Sequence, residues 1–244
     1  MSGTTYMRFE LLRTLRNKRF FVFSLGFPVV LFYVIAGPQR GDVDFAGTGI
    51  PAPVYYMIGL AAFGTMNAML ATGARIAVER AAGWNRQLRL TPLPTRVYFR
   101  TKVATGYLTA ILTLLVLYAA GISIGVSLSA HTWLVMTGLI AVGLVPFAAL
   151  GILYGHLLSP DSIGPVMGGS TALFAFLGGT WFPVQHGALH AIAVALPSYW
   201  LVQASQIAVG GQGWTSTGWL VVGTWTLVAA LLAGRAYRRD TKRT

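Results

Sequence analysis

The chain has no cysteine, which excludes a disulfide framework and any thiolate metal site. Charge is also scarce. Only 10% of the 244 residues are charged, while 55% are hydrophobic; a soluble domain carries about 25% charged residues. So little charge cannot clothe a water-soluble surface, and the mean hydropathy of +0.64 agrees. No G-x-x-x-x-G-K-[ST] occurs, so the chain lacks a P-loop of its own. No internal repeat or low-complexity stretch interrupts it, and residues 1–244 read as a single transmembrane domain.

The net charge of +12 does not indicate nucleic acid. Seventeen of the eighteen Lys and Arg residues fall in three clusters: Arg8 to Arg19, Arg75 to Lys102, and Arg235 to Arg243. Arg40 stands alone. A nucleic-acid binder gathers its basic residues on one folded face. Here they flank apolar segments, the pattern that orients spans in a membrane. Segments of roughly 20 apolar residues are long enough to cross. The spans read as Phe20–Ala36, Val54–Ala74, Val103–Leu128, Trp133–Leu158, Ile163–Phe182 and Gly218–Gly234. The first follows a basic lead-in without an A-x-A-like cleavage site, so it reads as a retained span.

Ala188–Val209 is also long enough to cross, but Pro197 interrupts it. A full crossing there would put the C-terminal basic cluster on the opposite side from the other two. An even span count keeps all three together. The expectation is therefore an all-α integral membrane protein of the plasma membrane with six spans and cytoplasmic termini. Ala188–Val209 becomes two re-entrant helices on the outer side, tolerable only where protein or a cavity surrounds them. Met7–Arg19 reads as an amphipathic helix. Met7, Leu11, Leu12 and Leu15 lie on one side, with Glu10, Arg13 and Asn17 opposite. It either lies in the membrane interface or serves only as a charged anchor.

Intramembrane acids and bases mark ion pathways, and the spans hold almost none. Asn67 and His156 are the main polar candidates at depth. That favours an external energy source or passive conduction. A lipid enzyme would need paired carboxylates, a Ser–His pair or a metal set within the spans. Ser170 would need a nearby base to act as a nucleophile, and the last span has no His; it reads as a small residue at a helix contact. His186 and His190 are four apart but lack a neighbouring carboxylate, so they read as interfacial residues and no metal is expected. Gly164 and Gly168 permit close helix approach, either within the subunit or against another one.

The loop 75–102 is the most informative segment. Glu79 to Leu90 can form a helix, ended by Pro92 and Pro94. Trp84 and Leu88 then share a face among Arg80, Arg86 and Arg89. An apolar knob with a charged rim suits protein docking; the other reading is a membrane-surface helix with Trp84 at the headgroups.

The run Glu79-Arg80, Gly83, Gln87-Leu88-Arg89-Leu90-Thr91-Pro92-Leu93 resembles the loop motif of ABC-2-type exporter permeases. Gly178-Gly179-Thr180-Trp181-Phe182-Pro183 resembles that family's Gly-x-x-Phe-Pro, and Leu196-Pro197-Ser198-Tyr199-Trp200 its Leu-Pro-x-x-Tyr/Trp. The three motifs occur in order, so the likeness covers essentially the whole chain. Within that family it resembles the actinobacterial drug- and antibiotic-resistance permeases. At Trp84, Asn85 and Arg86 the sequence departs from the family pattern, which has Thr or Ser, then Leu or Ile, then Glu.

The resemblance implies a subunit without its own ATP site. ATP and Mg would be held by a separate ATPase, present in two copies. That ATPase would dock on a coupling helix carrying Glu79, Arg80, Gly83, Trp84, Gln87, Leu88, Arg89, Leu90 and Pro92. Two permeases, most simply a homodimer, would enclose a path for a lipophilic or amphipathic cargo. Asn67, Gly164, Gly168, Phe182 and Pro183 are the candidates for that path or the subunit interface. The implied mechanism passes ATP-driven closure of the ATPase dimer through the coupling helix to the first, second and fifth spans. A channel or carrier that works without ATP is the competing reading.

Overall fold

The structure, a computed structural model, describes residues 3–17, 22–84, 87, 90–91, 93–209 and 213–242. Among these every regular element is helical. They are α1 (Gly3–Leu15), α2 (Phe27–Ala36, preceded by a π-helical turn at Val22–Gly26), α3 (Ala52–Ala81), α4 (Thr95–Ser123) and α5 (Ala130–Gly143). Then follow α6 (Val145–Leu157), α7 (Pro160–Leu177), α8 (Gly187–Val194), α9 (Pro197–Gln203, continued by a 3₁₀ turn to Val209) and α10 (Ser216–Lys242).

Among the described residues, four helical units are long and apolar enough to cross a membrane: α3, α4, the α5–α6 pair and α10. The α8–α9 pair would make five, but it bends by 97°. The expected first and fifth spans are weaker by this standard. α2 is only 10 residues long, and α7 carries Asp161, Pro165 and six further polar or glycine positions.

α3 is the central element. Its apolar stretch is 83% buried, against 22% for that of α10. A helix that is apolar all round belongs in the middle of a bundle. α4, α6, α7 and α2 pack around α3, and α10 packs on α6. α10 turns Trp219, Leu220, Leu227 and Leu231 outward. An exposed apolar stripe of this kind needs a lipid or protein neighbour.

Several boundaries differ from those expected. α3 continues past Ala74 to Ala81, so Arg75, Glu79 and Arg80 ride on the span's own helix. The helix expected over Glu79–Leu90 breaks at Gly83, whose φ of +71° is left-handed and suits glycine. α4 starts at Thr95, eight residues before Val103. α7 stops at Leu177 and not at Phe182, which lies in the following turn. The break at Ser159–Ser162 is a capping box, in which Ser159 Oγ accepts from the Ser162 amide at 3.3 Å.

Close helix approach occurs at glycines, but not at Gly164 and Gly168. Gly73 on α3 meets Gly151 on α6 so tightly that a Cβ at Gly73 would strike the Gly151 carbonyl. A Cβ at Gly151 would lie 2.7 Å from Met69 O, and one at Gly155 2.7 Å from Ile76 Cβ. Gly164 and Gly168 face open space; they do not pack within the subunit.

The break between α8 and α9 strands backbone carbonyls, and indole N–H groups reach them. Trp200 donates to Val194 O at 3.0 Å and Trp225 to Ala195 O at 2.8 Å. Trp214 donates to Trp200 O at 2.7 Å. Non-helical backbone in an apolar setting requires such partners.

The glycine contacts give a direct test. Gly151→Ala should lower stability in detergent by about 2 kcal/mol, since backbone cannot yield as a side chain can. Gly168→Ala should leave the thermal unfolding midpoint of the monomer unchanged. Equal midpoints for all three proteins would show that the α3–α6 crossing is looser than described.

Candidate functional site

The basic clusters converge at one end of the bundle, where α1, the end of α3, the start of α4, the end of α6 and α10 meet. Lys102 is wholly buried there. Its Nζ donates to Glu10 Oε1 and to Glu79 Oε1, each at 2.6 Å. Tyr98 donates its hydroxyl to Glu79 Oε2 at 2.9 Å, and its ring lies 5.2 Å from Lys102 Nζ. Arg13, largely exposed, sits 3.8 Å from Glu10 and 3.7 Å from Glu79. Arg75 donates to Thr14 Oγ1 at 2.6 Å. Three helices far apart in sequence are thus tied through one ammonium group.

The geometry follows from helical spacing. Tyr6, Glu10 and Thr14 are four apart and form the buried face of α1. The side expected to be polar therefore faces inward at Glu10. Phe9, Leu12 and Leu15 are exposed, which leaves an apolar face free for the bilayer surface. Tyr98 and Lys102 are likewise four apart on α4.

A second cluster lies beside the first. Arg80 donates to the carbonyls of His156 and Leu158, the latter at 2.7 Å. It also pairs with Asp240 at 3.6 Å. His156 Nδ1 lies 3.2 Å from Asp240 Oδ2, and Tyr237 stacks edge-on against the His156 ring at 5.3 Å. His156 Nε2 is buried and has no hydrogen-bond partner among the described residues. α10 is thereby fastened to the end of α3.

The residues expected to dock a partner are thus divided. Glu79 is buried and Arg80 half-buried, both turned into the body. Beyond the turn at Gly83, Trp84 is 38% exposed, and Gln87 and Leu90 are exposed. Leu88, Arg89 and Pro92 lie outside the described residues. Trp84 borders Tyr6 of α1. Burial, with the Glu10 and Glu79 carboxylates nearby, pushes the Tyr6 phenol above its ordinary range. The Trp84 indole offsets part of this, though its geometry falls short of a hydrogen bond.

The path candidates also separate. Asn67 and Gly168 line one cleft of about 170 Å³ with Phe27, Pro28, Phe63 and Thr171, where α2, α3 and α7 meet. Gly164 lies one turn away on α7. Phe182 is 36% exposed and stacks on Phe176 at 5.1 Å. Pro183 lines a separate crevice with Tyr55 and Gly179, where Tyr55 donates to the Gly179 carbonyl.

The remaining candidates have local partners. Ser170 donates to Val166 O at 2.7 Å. His190 Nδ1 lies 2.9 Å from Val184 O. Among the described residues no three His, Asp or Glu side chains gather as a metal site would require.

Sequence reasoning missed the Lys102 bridge. The available signal was the scarcity of acids. Of six in the chain, Glu10, Glu79 and Asp240 all lie within basic clusters, and each is paired.

Removing one partner of a buried ion pair leaves the other charge uncompensated, at about 3–5 kcal/mol. Lys102→Met should therefore unfold in detergent at a much lower temperature than the parent. Arg13→Ala removes an exposed, long contact and should cost under about 1 kcal/mol. Comparable losses for the two variants would place the bridge in water.

No protein-family profile matches the chain. A curated protein of Bacillus subtilis strain 168, named "Putative transport permease YvfS", is 31% identical over 199 residues. The match covers 78% of each chain.

Proposed function

The chain belongs to the transport permease family, and on that premise we propose that it is the membrane subunit of an ATP-binding-cassette exporter. The single observation that carries this reading is the mounting of the loop after α3. Glu79, Lys102 and Glu10 hold its base to α1 and α4 by buried ion pairs. Arg80 and Asp240 hold it to α6 and α10. Beyond this mounting, Trp84 and Gln87 project. A push on that projection would be delivered to four helices at once, as coupling to an external motor requires.

In this reading a separate ATPase, two copies per transporter, holds ATP and Mg and docks at Trp84, Gln87, Leu88 and Leu90. All three basic clusters are cytoplasmic, and the chain crosses the plasma membrane six times as one transmembrane domain. α7, with 18 residues, would be about 27 Å long, close to the thickness of the hydrocarbon core of about 30 Å. The bent α8–α9 pair enters and leaves from the outer side. A second permease copy packs against the open glycine face of α7 at Gly164 and Gly168. The Asn67 cleft beside that face belongs to the path of a lipophilic or amphipathic cargo, a drug, antibiotic or lipid.

Affinity purification in mild detergent tests the class. With candidate ATPases co-expressed, a stoichiometric P-loop ATPase should accompany the chain. Trp84→Ala should release it while insertion stays intact. A permease that purifies alone would favour a channel or carrier independent of ATP. Topology is tested by single cysteines in whole cells. One at Ala188 should react with an impermeant thiol reagent and one at Gln87 should not; the reverse pattern would overturn the orientation.

A further inference from the structure

Among the described residues, Arg40 is the one Lys or Arg at the end of the bundle opposite the three basic clusters. Its guanidinium makes no hydrogen bond or ion pair with the described residues. It lines a cleft of about 390 Å³, within the range of about 300–1,000 Å³ typical of small-molecule sites. The other walls come from three parts of the chain and from Ala208 in the turn after α9. Val43 and Gly49 belong to the α2–α3 connection, Val54 to the start of α3, and Ile124, Val126 and Ser127 to the turn after α4.

The chemistry of the cleft is two-sided. Val54, Ile124 and Val126 are buried apolar side chains. Arg40 and Ser127 are exposed and sit at its polar side. The nearby acids do not line it. Asp42 accepts from the Asp44 amide at 3.1 Å, and Asp44 from the Gly49 amide at 2.6 Å. Those carboxylates are turned onto their own loop, and neither forms an ion pair with Arg40.

The ends of α3 and α4, both long enough to cross a bilayer, frame this cleft. It therefore sits where headgroups meet acyl chains. The geometry points to a binding site for an anionic lipid, its phosphate on Arg40 and the upper part of its chains against Val54 and Val126. An unpaired guanidinium above an apolar floor matches a phosphodiester joined to a hydrocarbon tail. The site rests on the helical fold alone, so it holds or fails independently of any ATPase.

Native mass spectrometry of the full chain in detergent tests it, with phosphatidylglycerol, phosphatidylcholine and inorganic phosphate as probes. Phosphatidylglycerol should bind in preference to phosphatidylcholine. Arg40→Gln should weaken it about tenfold, the loss of one charge-assisted contact. Arg40→Lys should retain most of the affinity. Val43→Asp, which sets a carboxylate at the cleft, should weaken it as Arg40→Gln does. Arg40 and Val43 are both exposed, so the variants should keep the parent unfolding midpoint. Undiminished phosphatidylglycerol binding by Arg40→Gln, or equal binding of the two lipids, would overturn the site. Displacement of the lipid by phosphate alone would assign the site to a free anion and overturn the lipid.

Discussion

A fully buried ammonium group must have its charge compensated or the structure around it fails. Lys102 meets that demand with two carboxylates brought from α1 and from the end of α3. Much of the basic end of the bundle depends on this contact. It fixes which face of α1 turns inward, and it holds α3 helical past the apolar part of the span. It also sets where the loop beyond Gly83 emerges. The Arg80–Asp240–His156 cluster extends the same logic to α6 and α10. Along the rest of its length α10 packs on α6, with most of its apolar stretch turned outward.

A second constraint governs the apolar interior. Helices there gain little from excluding water, so close backbone approach and satisfied backbone groups must hold them. The α3–α6 crossing meets the first requirement through Gly73, Gly151 and Gly155. The bent α8–α9 pair meets the second through the indole N–H groups of Trp200, Trp214 and Trp225. These tryptophans do for a broken helix what hydrogen bonds to the preceding turn do for an intact one. The open glycine face of α7 is the exception, and it is where the proposed second subunit is placed.

The helical class and the approximate position of most segments were legible in the sequence, because apolar length and the placement of Lys and Arg are strong signals. The break before Pro197 was legible for the same reason: proline cannot continue a helix from the preceding turn. Helix ends near charges were not. Arg75 and Glu79 look like loop residues by polarity, yet pairing with Thr14 and Lys102 lets α3 carry them. Nor could the sequence tell which glycines are packed. Gly151 and Gly155 have the same spacing as Gly164 and Gly168, and only the partner helix distinguishes them. Glu10 looked like the outward face of an amphipathic helix because its partner is 92 residues away. Of the proposed docking residues, Glu79, Arg80, Gly83, Trp84, Gln87 and Leu90 are described, and Leu88, Arg89 and Pro92 lie outside the described residues.

The central claim is that α1, the base of the α3 loop and α4 form one body through Lys102. A double-mutant cycle on Glu79 and Lys102, read by thermal or chemical unfolding in detergent, addresses it most directly. If the pair is buried and mutually compensating, Glu79→Gln with Lys102→Met should cost far less than the sum of the two single variants. Their coupling should reach about 1–3 kcal/mol. Strictly additive losses would contradict the account, since they would mean that the two charges do not depend on one another and that the loop is not held by this bridge.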